Sequence, residues 1–334
     1  MKGNEAKQPL IILTGPTAVG KTALSVKLAK RTGGEIISAD SMQVYRHMNI
    51  GSAKIRPEEM EGVPHHLIDI LEPWEEFNVT VFQEKAKEAI AGIAGRGRIP
   101  ILAGGTGFYI QAVLYDIDFT ENAQEPAVRE ALERTAREKG AEYLHQMLRE
   151  VDPQSAAQIH ANNIKRVVRA LEYYMQTGQR ISEHNEQEHS RGSAYNACYF
   201  VLNDRREDIY DRIDRRVEHM LAAGLVEEVK ALKEMGCTRQ MVSMQGLGYK
   251  EILGFLEGEY DLDRAVYLIK RDTRHFAKRQ LTWFRRERDV IWLNRQDFAS
   301  EGSILEFMLQ ECEKRGLLAA PFAEESRQGG KIEK

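Results

Sequence analysis

Residues Gly15-Pro16-Thr17-Ala18-Val19-Gly20-Lys21-Thr22 satisfy every position of the pattern G-x-x-x-x-G-K-[ST]. Set between a strand and a helix, such a loop turns its backbone N–H groups and the helix N-terminus onto an anion. Lys21 adds a mobile positive charge, and the Thr22 hydroxyl can ligand Mg²⁺. The chemistry this predicts is capture of a phosphate chain. Two further features sit at the ends of apolar runs: Asp40 closes one, and Gly104-Gly105-Thr106 closes another. An ATP- or GTP-using enzyme of this kind usually carries an apolar strand ending in a Mg²⁺-binding Asp. Here Ile99 to Ala103 ends in Gly-Gly-Thr instead. Leu67-Ile68-Asp69 is a short substitute, with Asp69 equally readable as a structural cap.

The elements that must position these residues read as α/β. Leu10 to Thr14, Glu35 to Ala39 and Ile99 to Ala103 are short apolar strands, and Thr22 to Lys30 and Phe82 to Ala94 carry helical patterns. Strands alternating with helices predict a doubly wound parallel sheet, the P-loop core, with its ligand site beyond the carboxyl ends of the strands. The glycine loop, Asp40 and Gly104-Gly105-Thr106 all fall at that edge. From Asp118 the character becomes helical. Pro126 opens one long stretch, Asp152-Pro153 caps another, and Asn162 or Asn163 caps a third that Gly178 ends. Ile164, Val167, Val168, Leu171 and Met175 form the apolar stripe of that third helix, which leaves Lys165, Arg166 and Arg169 on other faces. Gln179 to Ala194 reads as an exposed connection. Tyr195 to Asn203 returns to a strand pattern, helices dominate afterwards, and Val290 to Leu293 is a last strand candidate. The predicted organisation is a catalytic core in two pieces (1–117 and 195–320), an all-helical insertion domain (118–194) and a polar, frayed tail (321–334).

The bulk properties set limits on function. Hydrophobic residues make up 42% and charged residues 29% of the 334, the proportions of a globular protein long enough for about two domains. No apolar run approaches a membrane span, and the polar start is no secretory signal. Cys198, Cys237 and Cys312 are too few and too scattered for a disulfide framework or a zinc site, which predicts a cytoplasmic protein with reduced thiols. A net charge of −4 argues mildly against nucleic acid, but the average hides a basic stretch. Lys270 to Arg288 holds eight Lys or Arg against Asp272 and Glu287, with Phe276, Trp283 and Phe284 among them. A basic run with interleaved aromatics can hold phosphates and stack bases, although a solvated helix face has the same composition.

In order along the chain, GPTAVGKT (15–22), ISADSMQVY (37–45), GSAK (51–54), HHLIDI (65–70), GGTGFYI (104–110), DPQSAAQIH (152–160), RVVRALE (166–172), DRIDRRVEHMLAAGLVEEV (211–229), GLGYKE (246–251) and AKRQLTWFRR (277–286) resemble the tRNA dimethylallyltransferases, also called tRNA isopentenyltransferases. The blocks span Leu10 to Leu293. One departure is Ala161-Asn162-Asn163, where the family commonly has Pro-Asn-Asp. The eukaryotic zinc-finger extension is not found, so the bacterial type is implied. The resemblance implies transfer of a dimethylallyl group from dimethylallyl diphosphate to N6 of adenosine 37, beside the tRNA anticodon. The P-loop would hold the donor's diphosphate rather than ATP.

On that resemblance Asp40 is the general base for the adenine amine, and Lys21, the loop amides, Thr22 with Mg²⁺, and Arg216 hold the leaving diphosphate. Arg212 and Arg216 share a helix face, with Arg215 at i+3 from Arg212; pairing of Arg216 with Asp208 or Asp211 is the alternative. Thr106 would touch the target nucleotide or bridge it to the diphosphate. The base would be extruded from the anticodon loop into a channel between sheet and insertion. RNA contacts are expected from Asp40, Ser41, Met42, Gln43, Thr106, Arg129, Lys165, Arg166, Arg169, Gly246, Gly248, Lys250, Lys278 and Arg279. His65 and His66 lie in a family block without an evident ligand. A monomer is the simpler expectation. Two other readings compete: a P-loop small-molecule kinase using ATP, and an RNA-binding module with a regulatory nucleotide switch.

Overall fold

The computed structural model describes residues 7–119, 126–190 and 192–318. Strand and helix alternate at first: β1 (Pro9–Thr14), α1 (Lys21–Thr32), β2 (Glu35–Ala39), β3 (His65–His66), α2 (Val79–Gly95), β4 (Pro100–Gly104) and α3 (Gly107–Leu114). Then come α4 (Pro126–Lys139), α5 (Ala141–Val151), α6 (Pro153–Gln158), α7 (Ile164–Thr177) and α8 (Ile181–Ser190). The chain continues through β5 (Asn196–Asn203), α9 (Arg206–Ala222), α10 (Leu225–Glu234), α11 (Tyr249–Leu256), α12 (Leu262–Phe284), β6 (Val290–Asn294) and α13 (Glu301–Lys314).

All six strands are parallel, in the order β3-β2-β4-β1-β5-β6. Strands buried on both faces of a parallel sheet read as unbroken apolar runs rather than as alternation. That is why Leu10 to Leu13 are all fully buried. From β1 the chain moves to β2 on one side, and β5 and β6 later add on the other. The carboxyl end of β1 therefore lies where the strand order reverses, the usual ligand position in such sheets.

By its contacts the chain divides into two compact units, Met1–Val113 with Ala194–Lys334, and Leu114–Ser193. The second unit has its own apolar cluster, in which Leu144 and Leu148 of α5 meet Val167, Val168 and Leu171 of α7. Asp152 organises one end of it. One oxygen accepts from the Ser155 amide and the Ser182 hydroxyl, the other from the Ser155 hydroxyl and the Ser182 amide. Burial alone would push this carboxyl up, but those four bonds hold it below the usual carboxylate range.

Several expectations need correction. The segment 179–194 is not merely a connection, because α8 occupies most of it; its start is pinned by the Asp152–Ser182 bonds. Asn163 precedes α7 but its side chain makes no capping bond. Of the apolar stripe of α7, Val167, Val168 and Leu171 are buried, while Ile164 and Met175 at its ends are exposed. β3 is a two-residue strand that the sequence did not announce. The tail beyond Pro321 lies outside the described residues. Among the described residues no helix is long and apolar enough to cross a membrane, and all three cysteines are free and buried.

Candidate active site

Sheet register brings the chemistry together. Thr14 of β1 and Ala39 of β2 both pair with Gly104 of β4, so the three strands end in one row. The next residues, Gly15, Asp40 and Gly105, leave the sheet side by side. With neighbouring strands about 4.8 Å apart, β2 and β1 are separated by roughly 10 Å across β4. Three segments far apart in sequence thus open onto the same edge.

The loop after β1 leads into α1 through Gly20, whose φ of 100° lies in the left-handed region and which has no side chain to cap the helix. The N–H groups of the first turn of α1 stay directed outward, the condition for anion binding. Lys21 Nζ donates to the carbonyls of Gly15 and Pro16, at 2.9 and 2.8 Å. Two arginines hold two further loop carbonyls: Arg212 Nε donates to Ala18 O at 2.9 Å, and Arg295 Nε to Val19 O at 3.0 Å. Each is anchored in turn, Arg212 on Asp204 and Arg295 on Glu301. The left-handed φ at position 20 favours glycine there, and an added Cβ would come within 2.5 Å of the Arg295 guanidinium, which would have to shift.

Arg216 Nη1 donates to the Thr17 hydroxyl at 3.2 Å. Arg212 and Arg216 do share the face of α9 that meets the loop, whereas Arg215 is exposed and, among the described residues, bonds back to Asp211 O. Neither Asp208 nor Asp211 pairs with Arg216; Asp208 pairs with Arg205. Burial pushes the Lys21 ammonium down to about 7, helped by the Arg216 charge and opposed by the Asp40 carboxylate. Burial also lowers Arg216, again against the pull of Asp40. Lys21, Arg216 and the Asp40 carboxylate therefore share one site, close enough to act on each other's charge. Asp40 Oδ1 accepts from the Met42 amide at 2.8 Å, which fixes the carboxylate at the start of a turn.

Thr106 precedes α3 and its amide donates to Ala39 O at 3.2 Å, which ties it to β2. Its hydroxyl bonds to no other described residue, and the same holds for the exposed hydroxyl of Thr22. Among the described residues no group of three or more His, Cys, Asp or Glu is placed to hold a metal. Arg295 was not expected from the sequence, and neither was Gln280 in α12. Its buried side chain accepts from the Thr17 amide at 2.8 Å and donates to Gly105 O at 2.9 Å, bridging the two glycine loops. Its place in AKRQLTWFRR gave the only hint.

Other expected residues sort by their partners. Met42 lies over Gly246, where an added Cβ would come within 2.5 Å of Met42 Cε, so the segments 40–43 and 246–250 are neighbours. Gln43 reaches Ser38 and Ala53 O, and Lys250 lies 3.5 Å from Glu251. In the second unit Arg129 and Arg169 both pair with the buried Glu172, while Lys165 and Arg166 are exposed and form no ion pair among the described residues. In α12, Lys270, Arg271 and Arg274 are engaged with Glu218, Asp272 and Asp214, leaving Lys278 and Arg279 exposed beyond them. His65 Nδ1 bonds Val63 O, and His66 bonds Glu35 at the opposite end of β2 from Asp40. Asp69 pairs with Lys54.

The family model for IPP transferase matches residues 43–287, and one for isopentenyl transferase matches residues 8–71. The chain belongs to the IPP transferase family. A tRNA dimethylallyltransferase of Lachnoclostridium phytofermentans is 62% identical, over 91% of this chain and 97% of its own length. Another, from Carboxydothermus hydrogenoformans, is 53% identical over 86% and 92%. Among solved structures, the tRNA isopentenylpyrophosphate transferase of Bacillus halodurans superposes with a TM-score of 0.71 at 44% identity, covering 93% of this chain and 99% of that one. A eukaryotic dimethylallyltransferase, described as acting on tRNA, gives 0.78 at 27% identity over 98% and 87%. Membership makes the chain a prenyl-transferring enzyme on a P-loop fold. It does not favour the kinase reading.

Proposed function

We propose that this chain transfers the dimethylallyl group of dimethylallyl diphosphate to N6 of adenosine 37 in the anticodon loop of tRNA, releasing diphosphate. The observation that carries the reading is the meeting of Asp40, Lys21 and Arg216 at one sheet edge. The names of the relatives, and a structural neighbour that acts on tRNA, support the choice of substrates.

The adenine amine is a weak nucleophile because its lone pair is delocalised into the ring. As its nitrogen bonds to the donor's first carbon, the C–O bond breaks and its electron pair leaves with the diphosphate. Asp40 takes the amine proton, most effectively if its carboxylate is already held; the Met42 amide does that from one side. Charge gathers on the departing diphosphate, so fixed donors aimed there stabilise the transition state more than the bound substrate. The amides of Gly15, Pro16, Thr17, Ala18, Val19, Gly20, Lys21 and Thr22 form the cradle, with the Lys21 ammonium and Arg216 as its cations. Thr106 adds a hydroxyl between the nucleotide and the diphosphate. The oxygen donors here, the Thr22 hydroxyl with diphosphate oxygens, suit Mg²⁺, which commonly takes one or two protein ligands plus substrate phosphates. When bound, it would neutralise part of the leaving group's charge.

RNA is held, in this reading, by the segments 40–43 and 246–250, by Lys278 and Arg279, and by the basic side of α7 at Lys165, Arg166 and Arg169, with Arg129 beside it. The protein works in the cytoplasm as a monomer. Incubation with unmodified tRNA and labelled dimethylallyl diphosphate, followed by digestion to nucleosides, should place the label on one adenosine. Steady ATP turnover without RNA, and no labelled nucleoside, would sink the proposal in favour of a kinase.

A further inference from the structure

Glu228 lies in α10, far in sequence from every residue assigned a role above. Its carboxylate accepts from three successive backbone amides, those of Asn49, Ile50 and Gly51, at 2.8–3.1 Å. It also accepts from the Tyr249 hydroxyl at 2.8 Å, and that hydroxyl in turn accepts from the Ser52 amide at 3.1 Å. One acid and one phenol therefore satisfy four consecutive amides of the 49–52 turn. Among the described residues Glu228 has no ion-pair partner, so its charge is met by amide dipoles, an arrangement of the kind that turns form around anions. Tyr249 is fully buried, and its ring lies where a side chain at Gly51 would be, 2.6 Å from an added Cβ. Burial, reinforced by the neighbouring Glu228 charge, raises this phenol well above its ordinary range and keeps it a donor.

What the clamp joins gives it meaning. The 49–52 turn continues the chain that leaves β2 at Asp40. Lys54 ties that chain back on itself through Tyr45 O and the Asn49 side chain. Tyr249 belongs to the 246–250 segment, whose Gly246 lies under Met42. Glu228 thus holds the 49–52 turn, which follows the 40–43 segment along the chain, against Tyr249 of the 246–250 segment, and the proposed function assigns both of those segments to RNA. None of its bonds touches residues 15–22.

We propose that Glu228, acting with Tyr249, is a positioning residue for RNA: it sets the register of the 40–43 turn against the 246–250 segment and leaves the diphosphate cradle alone. This rests on the proposed reading of those segments as RNA surfaces. Glu228→Gln keeps the shape but turns N–H groups toward amides that need an acceptor, so it should act more strongly than its size implies. Tyr249→Phe removes the acceptor for the Ser52 amide and one of the donors to Glu228, leaves the three amide bonds of Glu228 in place, and should give a smaller shift in the same direction.

The test measures KM for unmodified tRNA, kcat, and the Kd for inorganic pyrophosphate in the wild type and both variants. Glu228→Gln should raise the KM for tRNA roughly tenfold or more, with pyrophosphate affinity within about twofold of wild type. A purely structural residue would instead lower tRNA use and pyrophosphate binding together, and that result would overturn the proposal. So would an unchanged KM for tRNA in both variants. If Glu228→Gln fails to fold, the same criteria apply to Tyr249→Phe. A wild-type chain that labels no tRNA condemns the proposed function; a wild type that does, with variants that show no such split, condemns this inference alone.

Discussion

The glycine loop and the far half of α12 are both rich in positive charge, yet they are built in opposite ways. Around the loop every cation is tied to a protein acceptor: Lys21 to Gly15 and Pro16, Arg212 to Ala18, Arg295 to Val19, Arg216 to Thr17. In the far half of α12 and just beyond it, Lys278, Arg279, Arg285, Arg286 and Arg288 are exposed and make no ion pair among the described residues. The first arrangement spends side-chain freedom in advance, which suits a small, invariant group that must be met with fixed geometry. The second stays loose and hydrated, as suits a long flexible polyanion met mainly through released counterions. A single chain thus uses charge as geometry in one place and as attraction in the other.

That contrast can be broken by mutation. Asp40→Ala should have the largest effect, a loss of roughly 10²–10⁴-fold in transfer rate, with donor and tRNA affinity near wild type. Full retained activity would remove Asp40 from the role of base. Arg216→Ala should cost roughly 10²-fold in kcat/KM for the donor and little in tRNA binding; the reverse pattern would move Arg216 to the RNA side. Arg295→Ala, which removes the tie to Val19 O and the pair with Glu301, should weaken pyrophosphate binding about tenfold without changing tRNA affinity. Lys278→Ala and Arg279→Ala should each weaken tRNA uniformly by a few-fold and lower the slope of log affinity against log salt by about one. A wild-type affinity that does not change with salt would erase the second half of the comparison.

A pH experiment sharpens the same point. Lys21 is held at about 7 in the free protein, below its ordinary 10.5. Between these values the unfolded chain carries a proton that the folded chain lacks, so stability should rise with pH across that window. An arriving diphosphate gives the ammonium a partner and raises it again. Donor binding above pH 7 should therefore take up a proton, and affinity should fall as pH climbs. Calorimetry of dimethylallyl diphosphate binding at pH 8, in two buffers of different ionisation heat, should show this uptake in wild type and lose it in Lys21→Gln.

Much of the core was legible because its signals are local. β1, β2 and β4 are short apolar runs bounded by turn residues, and the glycine loop carries its own pattern in eight consecutive positions. Two-residue β3 has no periodicity to read, and α8 was hidden because its Ser, Glu and His composition resembles a loop. Within the site, Asp40 and Thr106 could be found from where their strands end. Gln280, Arg295 and Glu228 could not, because each acts on a backbone segment folded against it from far along the chain. Lys270, Arg271 and Arg274 looked the same as Lys278 and Arg279 in sequence. Only packing against α9 and the neighbouring Asp272 separates a salt-bridged stretch from an open one.

The amide of Gln280 has one further implication. It gives with one end and receives with the other, so no other single side chain of similar length can replace it. Glutamate would lose the donor to Gly105 O, and lysine the acceptor for the Thr17 amide. The loop proposed to grip the donor and the loop proposed to face the nucleotide are therefore joined through one buried group. A disturbance on either side should reach the other without crossing the sheet, giving the two substrates a direct means of sensing each other's arrival.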